Sequence, residues 1–330
     1  LGFYQSQKRF LTMAVYTQLN EADCCALLEK YELGHYLRHV GIGAGIENTN
    51  YFLDTDRNRF VLTVFERLSG EQLPYYLELT AHLAAHHLPV PAPVRVSHGP
   101  SSGQLYLMLG DKPAALVQRV VGQDILWPQL SHCVQIASVL AKMHLAASSF
   151  PLAQPNLRGL PWIQSMLPEL QVQMPTVLFA LLAEETAIQA LYCSTPEYAQ
   201  LPQGPVHADL FRDNALFEAG QLSGVIDFYF AANTSLLFDF CVTLNDWCIE
   251  QDSGALDAVR AQAFLQAYEA HRPFTTAEQQ ALPILARAAA LRFWVSRLAD
   301  YYLPRPAAIL TAKDPSHFER ILKLRRDHPV

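Results

Sequence analysis

The chain has 330 residues, of which 51% are hydrophobic and 17% are charged. That composition supplies one large core or two modest ones, and it excludes a disordered tail, a collagen-like repeat and a disulfide-rich miniprotein. No apolar run reaches the roughly 18 residues of a membrane helix, so we expect no membrane partner. The net charge of -7 provides no broad cationic surface for a polyphosphate, so nucleic acid is not an expected partner either.

The six cysteines are scattered without a Cys-x-x-Cys pair, which is typical of reduced thiols in a core. The chain opens without the pattern of a secretory leader, so the expected compartment is the cytoplasm. Residues 1–12 precede Met13, and we expect them to be an extension or an expression remnant outside the fold.

Between residues 51 and 120, short apolar runs are separated by turn residues, which is typical of an antiparallel sheet. The predicted strands are 51–53, 60–65, 94–96, 105–109 and 114–120, and the first four form two hairpins. A helix is predicted from residue 73 or 74 to His87, because the prolines at 89, 91 and 93 cannot continue it.

Beyond Gly122 the pattern changes to helices. Apolar residues recur there at i, i+3, i+4 and i+7 in two places, which indicates buried helix faces. These residues are Ile136, Val139, Leu140 and Met143, and Leu291, Trp294, Val295 and Leu298. One further β element is predicted at 205–228. Strands followed by helices predict an α+β fold, with a small sheet-rich part at 13–121 and a larger, mainly helical part at 122–330.

A hairpin predicted around a turn at residues 218–221 brings polar side chains together. With that turn, Asn214 faces Val225, so Asn214 and Asp227 lie on one sheet face as diagonal neighbours about 7–8 Å apart. A carboxylate and an amide oxygen suit Mg²⁺, which completes its shell with waters and nucleotide phosphates. Asp209, in the loop upstream, is then able to accept the proton of an attacking hydroxyl.

Taken singly, each of these residues also fits an ordinary structural role, the acids in loops and His207 in the core.

A glycine segment with Gly41, Gly43 and Gly45 precedes the first strand. It does not match the dinucleotide-binding fingerprint, and a loose turn is the alternative. Ahead of a hairpin, however, its missing side chains let backbone N–H groups approach phosphates, so it indicates a phosphate-covering loop.

The spacing of His207, Asp209 and Asn214, followed by Asp227 after one hairpin, resembles the catalytic loop and metal-binding Asp of protein-kinase-like phosphotransferases. From about Val15 onward, the chain resembles the family of aminoglycoside phosphotransferases and choline kinases, and within it the homoserine kinases. The segments that carry the resemblance are 41–50, 60–63, 88–91, 112–116, 140–144, 207–211, 224–231 and 290–293.

The resemblance implies a protein-kinase-like two-lobe fold, with a nucleotide-binding N-terminal lobe and a catalytic, acceptor-binding C-terminal lobe. It also implies that Asp209 is the catalytic base in a motif with His207, and that Asn214 and Asp227 hold Mg²⁺. ATP is the implied phosphoryl donor, with backbone contacts to adenine from Gln118 to Val120.

One position departs from the family pattern. Thr63 stands where kinases usually place the Lys that pairs with the α- and β-phosphates, and it supplies no charge. Arg67 and Lys112 are the nearby candidates for that role. The departure also motivates an alternative, a non-catalytic scaffold that binds nucleotide.

The implied acceptor is L-homoserine, which carries an ammonium, a carboxylate and the reactive hydroxyl. Asp239 and Asp246 are candidates for the ammonium, and Arg292 for a bidentate pair with the carboxylate. A helix cap and a surface arginine are the structural alternatives for Asp239 and Arg292.

Other acceptors stay open at this point. Choline is one, since Tyr229 or Trp247 can hold a quaternary ammonium by cation–π attraction. An aminoglycoside and methylthioribose are the others, although the largely apolar segment 233–247 favours a small acceptor. The expected state is a monomer or a weak homodimer.

Overall fold

The computed structural model describes residues 16–43, 48–303 and 313–330. The predictions for residues 1–12 and for Gly45 lie outside the described residues. The chain divides into two compact units. The first contains the residues up to 74 together with 92–119, and the second contains 75–91 and the residues from 120 onward. The division into functional lobes at residue 122 stays a prediction.

The first unit is built on a five-stranded antiparallel sheet in the order β1-β2-β3-β5-β4. The strands are β1 Tyr36–Ile42, β2 Asn48–Thr55, β3 Arg59–Phe65, β4 Leu107–Leu109 and β5 Lys112–Gln118. Helix α1, Glu21–Leu28, begins at a capping box formed by Asn20 and Asp23. Its Leu27 and Leu28 share a buried core with residues of β2 and β3, so the helix covers part of the sheet.

The first predicted hairpin is confirmed, with Tyr51 of β2 opposite Leu62 of β3. The second is wrong, because residues 94–96 form no strand. Val96 instead exchanges two backbone hydrogen bonds with Gly103 and Gln104 across a turn, each 2.8 Å long. The N–H of Val94 donates instead to the carbonyl of Leu116 in β5, next to an isolated bridge between Pro93 and Val117, and β4 also pairs with β5.

The second unit is mainly helical. Its helices are α2 Leu73–Ala85, which begins in the first unit, α3 Leu130–Ala147, α4 Leu160–Gln173, α5 Thr176–Cys193, α6 Pro196–Ala199, α7 Leu236–Trp247, α8 Ala258–Glu269, α9 Thr276–Tyr302 and α10 Ser316–Asp327. Two antiparallel ribbons accompany them. Strand β6, Gln203–Val206, pairs with β9, Ala232–Ser235, and β7, Ala215–Glu218, pairs with β8, Gln221–Val225.

Both predicted apolar helix faces are confirmed. The stripe at 136–143 lies on α3 and the stripe at 291–298 lies on α9, and all eight side chains are buried. Helix α3 packs against α8, and α9 packs against α7 and α10. The helix predicted to end at His87 ends at Ala85, and His87 has a positive φ of 58° that stops the helix.

Helix α5 corrects the expectation that no segment is long and apolar enough for a membrane helix, since by length and composition alone it could cross a membrane. Near its middle, however, lies the fully buried carboxylate of Glu185. Arg287 of α9 donates two hydrogen bonds to it, at 3.0 and 2.5 Å, and Gln189 donates a third at 2.9 Å. This buried ion pair joins α5 to α9 inside the second unit, as expected of a helix packed against protein.

Candidate active site

The loop that follows β6 is fixed by a buried carboxylate on α7. The backbone N–H groups of His207 and Ala208 donate to the two carboxylate oxygens of Asp239, at 3.0 and 2.7 Å. Asp239 has no exposed surface, and Ala208 has a left-handed φ of 62°. Such a conformation costs a residue with a Cβ roughly 1–2 kcal/mol. The two bonds to Asp239 therefore hold the loop in a shape that it would not adopt by itself.

Asp239 is also one end of a buried chain of hydrogen bonds. His144 donates to it from Nε2 at 3.0 Å, and the Tyr268 hydroxyl donates to His144 Nδ1 at 2.7 Å. The Tyr268 oxygen accepts from Arg272 at 3.1 Å, and Arg272 pairs with the buried Glu278 at 2.8 Å. Glu278 belongs to the capping box that starts α9. The chain thus links the loop to α9, a connection between distant residues that no local spacing reveals.

His207 joins the loop to the end of β8. Its Nε2–H donates to the carbonyl of Ile226 at 3.0 Å, and its Nδ1 accepts from the N–H of Asp209 at 3.2 Å. Burial lowers the pKa of His207, which keeps the imidazole neutral, as this pair of bonds requires. With both ring nitrogens bonded to backbone, the geometry favours a positioning role for His207.

The β7–β8 hairpin has a different register from the predicted one. Ala215, not Asn214, stands opposite Val225, because Ser223 is an extra residue that shifts the pairing by one. Asn214 ends a short 3-10 turn, and its carbonyl accepts from the N–H of Ile226 at 2.9 Å. The predicted position of Asn214 is therefore wrong by one residue, yet Asn214 still lies beside the end of β8 that leads to Asp227.

Asn214 reaches back to the predicted base. Its Nδ2 donates to the carbonyl of Asp209 at 2.8 Å and to Oδ2 of the same residue at 3.3 Å. The amide nitrogen is thus used within the loop, and the amide oxygen is left for another partner.

The carboxyl group of Asp209 sits in an unusual electrostatic setting. Burial, against the opposing charge of Arg292 and with the help of the carboxylates of Asp227 and Asp213, raises its pKa to about 8; Lys313 also opposes the shift. Asp227 is exposed and has a left-handed φ of 64°. The structure therefore brings Asp209, Asn214 and Asp227 together.

The donor atoms at this place fit a hard divalent cation. Among the described residues, no three His, Cys, Asp or Glu side chains cluster as a metal site. The oxygen of Asn214 and the exposed carboxylate of Asp227 instead offer two oxygen ligands. Mg²⁺ is commonly held by one or two protein oxygens and completes its shell with water and phosphate oxygens.

Three acceptor candidates are occupied by structural contacts. Trp247 is fully buried and donates from Nε1 to the carbonyl of Leu210 at 3.1 Å. Asp246 accepts from the backbone N–H, Nε and Nη2 of Arg212 at 2.8 to 3.1 Å. Asp239 is bonded within the loop as described. For these three, the expected contact with an acceptor conflicts with burial or with saturation of the carboxylate.

The other two acceptor candidates are differently placed. Tyr229 is half-buried, with its ring edge-on to that of Tyr76 at 6.2 Å between centroids. Arg292 is nearly buried, with its guanidinium 3.9 Å from the ring centroid of Phe293 and 5.1 Å from that of Phe230. Its effect on the pKa of Asp209 places it within electrostatic range of the base.

The nucleotide-binding candidates of the first unit lie on its sheet. Gly41 is paired with Tyr51 between β1 and β2, and Gly43 follows the end of β1. The hydroxyl of Thr63 donates to Asn50 Oδ1 at 2.8 Å. The N–H of Gln118 donates to the carbonyl of Ala92.

The two basic candidates for a phosphate contact differ in their surroundings. Lys112 donates from Nζ to Glu66 at 2.5 Å and to the hydroxyl of Thr17 at 2.7 Å, so its charge is already paired. Arg67 is exposed.

The adenine candidate Val120 lies in the second unit and packs tightly on Gly224. A Cβ added to Gly224 would lie 2.6 Å from Cγ1 of Val120.

Sequence comparison gives this arrangement a family. Residues 39–274 match the profile of the phosphotransferase enzyme family. Over 324 residues the chain is 47% identical to the homoserine kinases of Burkholderia mallei (strain ATCC 23344) and Burkholderia thailandensis (strain ATCC 700388 / DSM 13276 / CCUG 48851 / CIP 106301 / E264). Each alignment covers 96% of this chain and 97% of the relative.

Solved structures share the fold at much lower sequence identity. An amicoumacin kinase in complex with AMP-PNP is similar with a TM-score of 0.65 and 14% identity, over 94% of this chain and 93% of that one. An aminoglycoside phosphotransferase from Alicyclobacillus acidocaldarius is similar with a TM-score of 0.63 and 16% identity, over 96% of both chains. The predicted kinase-like fold is thereby confirmed, and this chain belongs to the phosphotransferase enzyme family.

Proposed function

We propose that this phosphotransferase transfers the γ-phosphoryl group of ATP to the side-chain hydroxyl of L-homoserine, giving O-phospho-L-homoserine and ADP. The observation that carries the proposal is the 47% identity to homoserine kinases over nearly the full length of both chains. The juxtaposition of Asp209, Asn214 and Asp227 supplies the chemistry that this reaction needs.

In the proposed reaction, Asp209 acts as the general base. The hydroxyl oxygen of the acceptor forms a bond to the γ-phosphorus while the bond from that phosphorus to the bridging oxygen of ADP breaks. The hydroxyl proton passes to a carboxylate oxygen of Asp209 and then to solvent. A carboxylate with a pKa of about 8 is a better proton acceptor than an ordinary one, provided that it is ionised when the acceptor binds.

Asn214 and Asp227 are the proposed Mg²⁺ ligands, through the amide oxygen and the carboxylate. Mg²⁺, when bound, neutralises the negative charge of the phosphate oxygens. The hydrogen bonds from Asn214 to Asp209 would also hold the proposed base at a fixed position relative to the proposed metal ligand Asn214.

The remaining loop residues position this pair. We assign His207 and Asp239 to that role, because both bind backbone groups of the loop and neither is exposed. Arg292 favours the ionised form of Asp209 by its charge.

For the nucleotide, we propose backbone contacts from Gly41, Gly43 and Gly45 to phosphates, and from Gln118 and Val120 to adenine. Thr63 cannot replace the missing lysine by charge, and its hydroxyl is bonded to Asn50. Backbone N–H groups and the metal ion would therefore carry most of the phosphate binding.

The cysteines bear on the compartment in which the protein acts. All six cysteines are free, as expected of a protein in the reducing cytoplasm. We propose that the protein acts there as a monomer or a weak homodimer.

The direct test is coupled ADP release from the purified protein with Mg²⁺ and ATP. L-homoserine, choline, an aminoglycoside, methylthioribose and L-serine are compared in parallel. We expect turnover with L-homoserine and little with the others. Faster turnover of another acceptor would contradict the substrate assignment, and nucleotide binding without turnover of any acceptor would favour the scaffold alternative.

A further inference from the structure

A cavity of about 290 Å³ lies in the second unit beside the loop that carries Asp209. Phe211, Arg212 and Asp213, which follow the base by two to four residues, form one part of its lining. Arg297 of α9 forms another part; burial lowers its pKa, and the carboxylates of Asp246, Asp213, Asp314 and Asp209 oppose that shift. The cavity is thus within electrostatic range of the base. Its volume is at the small end for ligand pockets, which suits an amino acid better than an oligosaccharide.

Arg212 also lines this cavity, but its guanidinium donors are already bound to other groups of the protein. Its Nε and Nη2 bind the carboxylate of Asp246 at 3.0 and 3.1 Å, and its Nη1 donates to the carbonyl of Leu126 at 2.7 Å. Neither Arg212 nor Asp246 therefore has charge to spare for a ligand.

Arg297 differs from Arg212 in this respect. Its guanidinium lies 4.5 Å from the ring centroid of Phe318 and makes one long hydrogen bond, of 3.5 Å, to the carbonyl of Asp314. In the described part of the chain, no carboxylate lies within salt-bridge distance of it. A half-buried guanidinium of this kind is ready for an anion, and its planar fork matches a carboxylate.

A neighbouring histidine adds no charge to the lining. The pKa of His317, which also lines the cavity, is lowered to about 4 by burial and by the charges of Arg297, Arg320 and Arg212, with Asp314 opposing the shift. At neutral pH this imidazole is uncharged and does not compete with Arg297 for an anion.

The same cavity also carries negative charge that a ligand can use. Asp124 is exposed and, within the described ranges, has no hydrogen-bond or ion-pair partner. Asp213 pairs with Lys313 at 3.3 Å, but both side chains are more than half exposed, so the pair is weak and can exchange for another cation. The lining therefore combines an unpaired cation with accessible carboxylates.

We propose that this cavity binds the acceptor as an amino-acid zwitterion, with Arg297 pairing with its α-carboxylate and Asp124 and Asp213 receiving its α-ammonium. The hydroxyl end of the acceptor then extends toward Asp209. The inference rests on the proposed function, since it assumes an amino-acid acceptor. It assigns the carboxylate to Arg297 in place of Arg292, and the ammonium to carboxylates other than Asp239 and Asp246.

The test compares kcat/KM for three acceptors at saturating Mg²⁺ and ATP. They are L-homoserine, propanolamine, which is homoserine without its carboxylate, and γ-hydroxybutyrate, which is homoserine without its ammonium. Arg297→Met is expected to lower kcat/KM for L-homoserine on the order of 10- to 100-fold, mainly through KM. Turnover of propanolamine, which has no carboxylate to lose, stays unchanged. Arg297→Lys recovers part of the loss.

The acidic side is tested in the same way. Asp124→Asn and Asp213→Asn are expected to lower kcat/KM for L-homoserine and to leave γ-hydroxybutyrate unaffected. Lys323→Met, on the exposed face of α10 and away from the cavity lining, is the matched control and leaves all three acceptors unchanged. An unchanged KM for ATP and an unchanged melting temperature show that each variant is folded.

The possible failures are distinguishable. If the wild type phosphorylates L-homoserine but Arg297→Met changes nothing, or lowers L-homoserine and propanolamine equally, the cavity assignment is overturned and the proposed function stands. If the wild type phosphorylates only acceptors without an amino-acid group, both fall.

Discussion

At Asp209, the requirements of catalysis and of folding oppose each other. An ordinary aspartate has a pKa near 3.9, whereas burial raises that of Asp209 to about 8. The folded protein therefore binds the proton more tightly than the unfolded chain does. The resulting stabilisation is fully present below the unfolded pKa and is lost as the pH rises toward 8. At neutral pH, ionising the base destabilises the fold.

A neutral isostere should relieve this cost. We expect Asp209→Asn to raise the melting temperature more at pH 8, where the native carboxyl is half ionised, than at pH 5, which is only about one unit above the unfolded pKa and where most of the stabilisation by protonation remains. Thermal unfolding without nucleotide measures both values, and exposed Asp252→Asn is the control. An equal shift at the two pH values would argue against the raised pKa.

Removing the carboxyl group of Asp209 should lower the rate of phosphoryl transfer without weakening nucleotide binding. Asp209→Ala is expected to lower kcat by roughly 10²- to 10⁴-fold, the usual contribution of a positioned base, while the dissociation constant of Mg²⁺-ATP changes little. Steady-state kinetics and nucleotide titration measure the two effects. An unchanged kcat would remove Asp209 from its proposed role, and exposed Asp252→Ala is again the reference.

At the scale of elements, the β7–β8 hairpin shows what the sequence can and cannot predict. The alternation of residue types and the turn predict that the hairpin exists and where it turns. The one-residue bulge at Ser223 depends on how this ribbon packs on the chain around Gly122, where the Ser223 hydroxyl would lie 2.6 Å from an added Cβ. Register errors of this kind follow from tertiary contacts that no local pattern contains.

Gly224 of β8 offers a test of that packing. An added Cβ would lie 2.6 Å from Cγ1 of Val120, so we expect Gly224→Ala to destabilise the protein by about 1–3 kcal/mol. The change Val120→Ala removes the clashing methyl groups, and in the double variant it should recover most of the loss.

Urea unfolding of the two single variants and the double variant gives the coupling free energy. Gly204→Ala on β6 is the matched control, because its Cβ would meet only the flexible end of Leu236 at 3.3 Å. Additive effects of the Gly224 and Val120 changes would contradict the close packing.

At the scale of the whole molecule, the sequence predicts the fold class, whereas the proposed acceptor cavity joins residues that no local pattern connects. The proposed base Asp209 and the proposed metal ligands Asn214 and Asp227 can be named from the sequence because they lie along one short stretch of chain. Arg297 could not be named because its proposed role depends on α9 and the loop after β6 meeting in space, about 90 residues apart in sequence. Asp239 is placed wrongly because a buried structural carboxylate and a ligand-binding one look alike in sequence.

Global stability should report the proposed metal site. A ligand that binds only the folded protein stabilises it, by about 2.7 kcal/mol at a hundredfold excess over its dissociation constant. We expect Mg²⁺-ATP to raise the melting temperature of the wild type, and Asp227→Ala or removal of Mg²⁺ by a chelator to abolish most of the shift. An undiminished shift in Asp227→Ala would refute that ligand, and exposed Asp252→Ala serves as control.

The buried chain from Asp239 through His144 and Tyr268 to Glu278 bears on how such enzymes change their acceptor over evolution. It fixes the loop of the proposed base from inside the helical unit. The proposed acceptor contacts Arg297 and Asp124 make none of these bonds, although Phe211 to Asp213 of the cavity belong to the loop itself. Substitutions at Arg297 or Asp124 therefore leave the loop of the proposed base in place. One inherited fold can in this way serve new acceptors while the phosphoryl chemistry is kept.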